Sequence, residues 1–170
     1  NEPLQEALEW IYSQDAGLYR VEKTFYEVSE VMDPVALQYY GISGYNSMIG
    51  AGAEGFYQNV WPQVLAGGSG MRQYFIKDTH AWEQSTFLGI KYLIAKEGED
   101  VADLYERIGQ VQDLVIYQNP LVESMGFVTQ AFVTDEELDA MSMEQRIEAV
   151  GTMVQETVGH VKLQEGKDQV

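Results

Sequence analysis

Apolar side chains recur every seventh position from Leu4 through Ile11, Leu18 and Phe25 to Met32, with Leu8, Val21 and Val28 on the alternate seam. That period keeps one helix face turned towards a packed neighbour, so the pattern predicts a long helix over roughly 3–32. Asn1 caps it, Pro3 lies in its first turn and Gly17 loosens its middle. Asp33-Pro34 ends it, because proline disfavours helical backbone in the residue before it. Pro34 then opens a short helix over about 34–40. Met71, Phe75 and Trp82 mark a helix over about 71–96, capped by Ser69 and stopped by Gly98. Inside it, Phe87 to Ile94 has strand propensity, but no second strand pattern offers it a partner, so helix is expected.

Asp100 caps a helix over about 101–118 whose Val101, Leu104, Ile108, Val111 and Val115 follow three-four spacing up to Asn119-Pro120. Leu121, Val122, Met125, Val128 and Phe132 take the pattern up again. Thr134 with Glu137, and Ser142 with Gln145, are capping boxes that open a short helix and then a long one over about 143–163. The long one carries Ile147, Val150, Val154, Val158 and Val161 on one stripe, and 164–170 reads as a frayed polar tail. The fold class expected is all-α: a single-domain helical bundle over 1–170.

The stretch 41–70 interrupts this regularity, with eight of the sixteen glycines. It predicts irregular structure around a short helix from about Glu54 through Trp61. Eleven of the twenty aromatics lie between Tyr39 and Tyr92. Tyr and Trp offer large contact area with few rotatable bonds, so Tyr39, Tyr40, Tyr45, Phe56, Tyr57 and Trp61 are candidate partner-binding residues. The competing reading is that these rings fill a core where short helices supply too little leucine.

Charge divides the chain further. Of 170 residues, 27 are acidic and 10 basic, a formal charge of −17. Residues 1–50 sum to −6, 51–97 to zero and 98–170 to −11, so a neutral aromatic centre lies between acidic ends. On the expected helix after Asp100, Glu99, Asp103, Glu106 and Asp113 share a face, and Glu136 and Glu137 add to it if the capped helices lie alongside. These six are the second candidate partner surface. An acidic face of this kind also serves solubility alone, and the overall charge argues against direct nucleic-acid binding.

Candidate chemistry is sparse. There is no cysteine, hence no disulfide framework, thiolate metal site or cysteine nucleophile. His80 with Glu83, and Glu156 with His160, are half-motifs of a helical carboxylate metal site, but neither has the Glu-x-x-His order of that class. Gly67-Gly68-Ser69-Gly70 lacks both the nucleophile-elbow spacing and the lysine of a phosphate loop. No catalytic residue, metal or cofactor is expected. Phe87 to Ala95 is broken by Lys91 and far below the ~18 residues that span a bilayer, and no basic-apolar leader opens the chain. A soluble chain is expected, cytoplasmic or exported. Asn1 in first place fits a processed chain, a trimmed one or an incomplete one.

The order of a heptad helix, then Tyr39-Tyr40-Gly41-Ile42-Ser43-Gly44-Tyr45-Asn46-Ser47-Met48-Ile49-Gly50, then a small Pro/Trp-containing subregion resembles, over roughly 1–66, the minor pilus subunits of type IV secretion systems. That resemblance implies an exported assembly subunit that works by contact. The function expected from the residues themselves is a non-enzymatic acidic helical interaction protein with a protein partner, and a homo-oligomer if the heptad seam pairs two copies. The alternatives are a nucleic-acid mimic that inhibits a DNA-binding protein, and a helical carboxylate/His metal enzyme.

Overall fold

A computed structural model describes residues 2–25, 32–45, 51–60, 65–66, 73–74, 79–130 and 132–165. In chain order its elements are α1 (Glu2–Gln14), β1 (Arg20–Lys23), α2 (Asp33–Ala36), β2 (Gly44–Tyr45), α3 (Ala51–Val60), β3 (Leu65–Ala66) and β4 (Gln73–Tyr74). There follow α4 (Trp82–Phe87), β5 (Ile90–Lys96), β6 (Glu106–Val111), β7 (Leu114–Gln118), α5 (Asp135–Ala140) and α6 (Met143–Glu165). Four strands form a mixed sheet in the order β1-β5-β7-β6, with β1 parallel to β5 and the other pairs antiparallel. The two-residue strands β2, β4 and β3 make a small antiparallel sheet. The chain is therefore not the all-α helical bundle that its periodicity predicts.

The expected helix over 3–32 is cut short by Asp15. Its carboxylate accepts the Gly17 N–H at 2.7 Å, a side-chain turn that competes with helical hydrogen bonding. Leu4, Ala7, Leu8 and Ile11 do line the buried face of α1. The continuation of the heptad beyond them is a coincidence of spacing, and Phe25 lies beyond the end of β1. The expected helix over 71–96 yields β4, α4 and β5. The one over 101–118 is a loop followed by the β6–β7 hairpin, which reverses at Gln112 and Asp113, with Gln112 in left-handed backbone at φ 54°. Ile90–Lys96 finds the partner its propensity wants in Leu114–Gln118, where Ile94 faces Ile116 and Leu93 faces Tyr117. In the glycine-rich interval, α3 covers most of the expected short helix, while Trp61 and Ser69 lie outside the described residues. Both capping boxes are present: the Glu137 N–H donates to Thr134 Oγ1 (3.3 Å) and the Gln145 N–H to Ser142 Oγ (3.3 Å). Of the expected frayed tail, 164–165 are the last residues of α6, and 166–170 lie outside the described residues.

The two sheet faces have separate cores. α1 lies on one, burying Leu4, Leu8 and Ile11 against Tyr92, Ile94, Leu114 and Ile116. On the other, Leu93 packs with Ala102 and Tyr105, flanked by Trp82 and Tyr117. Edge strand β1 carries two fully buried charges. Glu22 accepts hydrogen bonds from the Ile42 N–H, the Ser43 N–H (3.0 Å) and the Ser43 hydroxyl (2.5 Å). Lys23 Nζ lies 2.6 Å from Asp33 Oδ2, and the Val21 N–H donates to the Tyr40 carbonyl at 2.8 Å. Those bonds cover the sheet edge with segment 33–43, an arrangement that shields an edge from further strand pairing.

Candidate functional site

Where β7 ends, a buried asparagine steers the chain out of the sheet. The Asn119 N–H donates to the Lys91 carbonyl (2.8 Å), its side-chain amide to Thr86 Oγ1 (2.9 Å), and its Oδ1 accepts the Leu121 N–H (3.0 Å). Further on, the Met125 N–H donates to the Leu18 carbonyl at 2.8 Å. The Met125 backbone lies so close to Gly89 that a Cβ there would stand 2.6 Å from the Met125 carbonyl oxygen. Phe127 meets Phe87 edge-on (centroids 5.5 Å apart), Phe87 stacks on Phe56 (5.7 Å), and Phe56 meets Tyr57 edge-on (5.7 Å). A loop without regular structure is thus tied down at Asn119, Met125 and Phe127.

A charged knot supports this loop from beneath. Lys91 Nζ donates to Asp15 Oδ2 (2.6 Å) and to the Glu123 carbonyl (3.4 Å), and the Tyr92 hydroxyl donates to the same Oδ2 (2.8 Å). The Tyr19 hydroxyl donates to the Asp15 carbonyl (2.7 Å), its ring stands edge-on to Tyr92 at 4.8 Å, and the Lys91 ammonium lies 5.7 Å from both ring centroids. Burial works against the Asp15 charge. The hydrogen bonds from Lys91, Gly17 and Tyr92, with the Lys91 charge, outweigh it and hold the carboxyl below its ordinary 3.8. The phenols move the other way: burial first, then the Asp15 charge, pushes Tyr19 up to about 12, and burial with the Asp15 hydrogen bond raises Tyr92.

These shifts bound the pH range in which the knot holds. The lowered Asp15 value means its contribution is present above the unfolded aspartate value and lost as pH falls through the lower folded one. The raised phenols contribute fully below pH ~10 and lose that contribution as pH rises towards 12. Ultraviolet titration of phenolate should show Tyr19 and Tyr92 ionising late, with Tyr12 and Tyr105 also raised by burial. Asp15→Asn should bring the Tyr92 titration down, and an unchanged curve would remove the knot.

Above the knot the loop presents apolar side chains to water. Val128 is 90% exposed and Phe132 80%, Phe127 is exposed as well, and Leu18 beside Met125 is 55% exposed. From Ser124 to Thr134 the sequence carries no charged side chain. Read by spacing alone, Val128 and Phe132 continue a buried helical stripe, whereas only Val122 of that stripe is buried. Spacing carries no information about which face of an irregular segment meets solvent. A separate cleft of about 280 Å³ lies between α1 and the segment after α2, with Glu9, Tyr12, Leu37 and Gln38 among its walls.

The residues singled out from the sequence scatter. Tyr39 is buried against α1, while its neighbour Tyr40 is exposed. Tyr57 is buried and Phe56 half-buried on α3, in a different core cluster. Tyr45 faces Gln73 in the small sheet; its side chain, and all of Trp61, lie outside the described residues. Of the acids, Glu99 is half-buried and accepts a hydrogen bond from the Thr24 hydroxyl, and Asp103 is exposed in a loop. Glu106 is exposed at the start of β6, and Asp113 is exposed in the turn beyond its far end. The shared helix face expected for these four does not exist, because 106–118 is a hairpin. Glu136 and Glu137 are exposed in the first turn of α5, where hydrogen bonds from the Thr134 backbone and side chain lower the Glu137 pKa. His80 pairs with Asp100 (3.2 Å), both exposed, rather than with Glu83. Glu156 and His160 share α6, with the His160 side chain outside the described residues. Among the described residues no group of three or more His, Asp or Glu is placed to hold a metal.

A family model described as "Bacterial membrane protein YfhO" matches residues 2–164. No curated protein and no solved structure matches. The family match overturns the expected acidic helical interaction protein with a protein partner. With it go the nucleic-acid mimic, the helical metal enzyme and the resemblance to type IV secretion minor pilus subunits. It also conflicts with a chain at work in free solution, although among the described residues no helix is long and apolar enough to cross a membrane. Since the match covers nearly all of it, the chain belongs to the YfhO family of bacterial membrane proteins.

Proposed function

We propose that this chain works against the aqueous face of a bacterial membrane, as a folded part that supplies a surface rather than a reaction. The observation that carries the reading is the match of residues 2–164 to a family described as a bacterial membrane protein. The described residues fit it as a mixed α/β fold whose helices are too short or too polar to cross a bilayer. A polar cluster also fits: Asp15, Lys91, Tyr92 and Tyr19 satisfy one another, which suits a support better than a nucleophile or a general base.

Fractionation of the native host tests the reading. An antibody against the chain should find its product in the high-speed membrane pellet. Protease added to the aqueous side that holds the fold should degrade the chain, and protease confined to the other side should not. A product confined to the supernatant would overturn the proposal.

A further inference from the structure

We infer that the cleft between α1 and the segment after α2 binds a compact organic ammonium ion, with Glu9 as its counter-ion and the Tyr12 ring beside it. The inference is independent of the membrane-surface reading above. The cleft measures about 280 Å³, and Gln5, Leu8, Glu9, Tyr12, Leu37 and Gln38 are among its walls. That lies just under the ~300–1,000 Å³ of ordinary small-molecule sites, so the occupant is a small molecule and not a peptide. Leu8 is buried and Leu37 half-buried, which gives the cleft an apolar base, while Glu9, Tyr12 and Gln38 are exposed.

The walls themselves set the charge of the occupant. Glu9 is the one ionised side chain among them. The Gln5 amide donates to its Oε1 at 3.0 Å, which orients the carboxylate and leaves its other oxygen for a ligand. Tyr12 follows Glu9 by three residues and so shares its helix face, and the face of its ring attracts cations. Tyr12 also lies in the last turn of α1, where no basic side chain offsets the negative end of the helix. Carboxylate, ring and helix end favour the same sign. A bare metal ion would want six or so oxygens, whereas the two leucines favour carbon attached to the charge, which is an alkylated ammonium. Gln38 is a separate sign that the cleft is kept for use. It holds φ 57° at the position after the cap of α2, where glycine is usual, and the Tyr39 N–H closes the helix end on the Pro34 carbonyl at 3.0 Å. Glycine would adopt that backbone without strain, so a glutamine there costs stability, and such strain collects at ligand sites.

The test is titration of the full 170-residue chain, followed by NMR, with choline and with the neutral alcohol in which carbon replaces its nitrogen. Choline should bind at about millimolar concentration and the alcohol at least about tenfold more weakly, with the shifts centred on the walls of the cleft. Glu9→Gln and Tyr12→Leu, both at exposed positions, should each weaken choline binding about tenfold and leave circular dichroism unchanged. Glu2→Gln, on the same helix but outside the cleft, should bind as the parent does. Gln38→Gly should raise the urea midpoint and yet weaken choline binding, a combination that a purely structural role for Gln38 would not give. The inference falls if choline does not bind, if the alcohol binds equally well, if the shifts lie elsewhere, or if Glu9→Gln binds as tightly as its parent. A chain confined to the cellular supernatant that binds choline in this way removes the membrane-surface reading and leaves the cleft standing.

Discussion

Gly89→Ala is expected to cost about 3 kcal/mol or more of folding stability, and to loosen the apolar loop before the rest of the fold. Gly89 has φ +67°, a left-handed conformation that costs a residue with a Cβ roughly 1–2 kcal/mol. The larger part comes from where the Cβ would go: 2.6 Å from the carbonyl oxygen of Met125, 2.7 Å from its Cα and 2.9 Å from its carbonyl carbon. All three are backbone atoms, so no side-chain rotation relieves the overlap, and the segment held by the Met125–Leu18 hydrogen bond has to move. Against a typical total of ~5–15 kcal/mol, such a loss lowers the urea midpoint strongly. Amide exchange at Met125 should accelerate more than at Ile94 or Ile116 in the sheet. Gly55→Ala is the control. Nothing lies within 4 Å of its Cβ position on α3, so helix propensity alone favours the substitution, by up to ~1 kcal/mol. Equal effects at the two glycines would show that the approach of residue 125 to Gly89 is not what the structure makes it.

The elements legible in the sequence are those that local chemistry decides. The start of α1, the capping boxes at Thr134 and Ser142 and the stripe with Val150 and Val154 on α6 each depend on neighbours within four or five residues. The strands depend on partners far away. Ile90–Lys96 has strand propensity on its own, but its antiparallel partner is disguised, because Val111 and Val115 also fall at helical spacing and the turn between β6 and β7 has no glycine. Gln112 takes the left-handed position instead. β1 is hidden more thoroughly: Glu22 and Lys23 are polar in sequence and buried in the fold, so no alternation of apolar and polar residues marks it. The candidate site shares this fate. Leu18 and Met125 are far apart in the chain and meet only because β1 lies alongside β5, and exposure of Val128 and Phe132 is a tertiary property no spacing encodes. The aromatic concentration between Tyr39 and Tyr92 is real in the sequence. Among the described residues the structure divides it among separate core clusters, and leaves Tyr40 exposed.

Removing the carboxylate that faces Lys23 is expected to cost nearly as much as Gly89→Ala, and the loss should be recoverable. Lys23 Nζ and Asp33 Oδ2 are 2.6 Å apart, with side-chain exposures of 1% and 11%, so water cannot replace either partner. The Phe25 ring lies 5.0 Å from the Lys23 ammonium, but the Lys96 ammonium lies 5.3 Å from the same ring, and a ring quadrupole shared by two cations does not substitute for a carboxylate. Asp33→Asn keeps the shape and deletes the charge that lies 2.6 Å from the buried ammonium. Breaking such a pair from one side costs roughly 3–5 kcal/mol, whereas replacing both partners by groups of similar size is often close to neutral. Lys23→Met alone should therefore destabilise through the buried Asp33, and Lys23→Met with Asp33→Asn should be more stable than the sum of the two singles by about 2 kcal/mol or more, measured by urea unfolding. Because the pair is buried, raising the salt concentration should change none of these differences. Additive losses would mean that the ion pair does not help to hold segment 33–43 on the edge of β1, where the Glu22 bonds to Ile42 and Ser43 and the Val21–Tyr40 backbone bond also act.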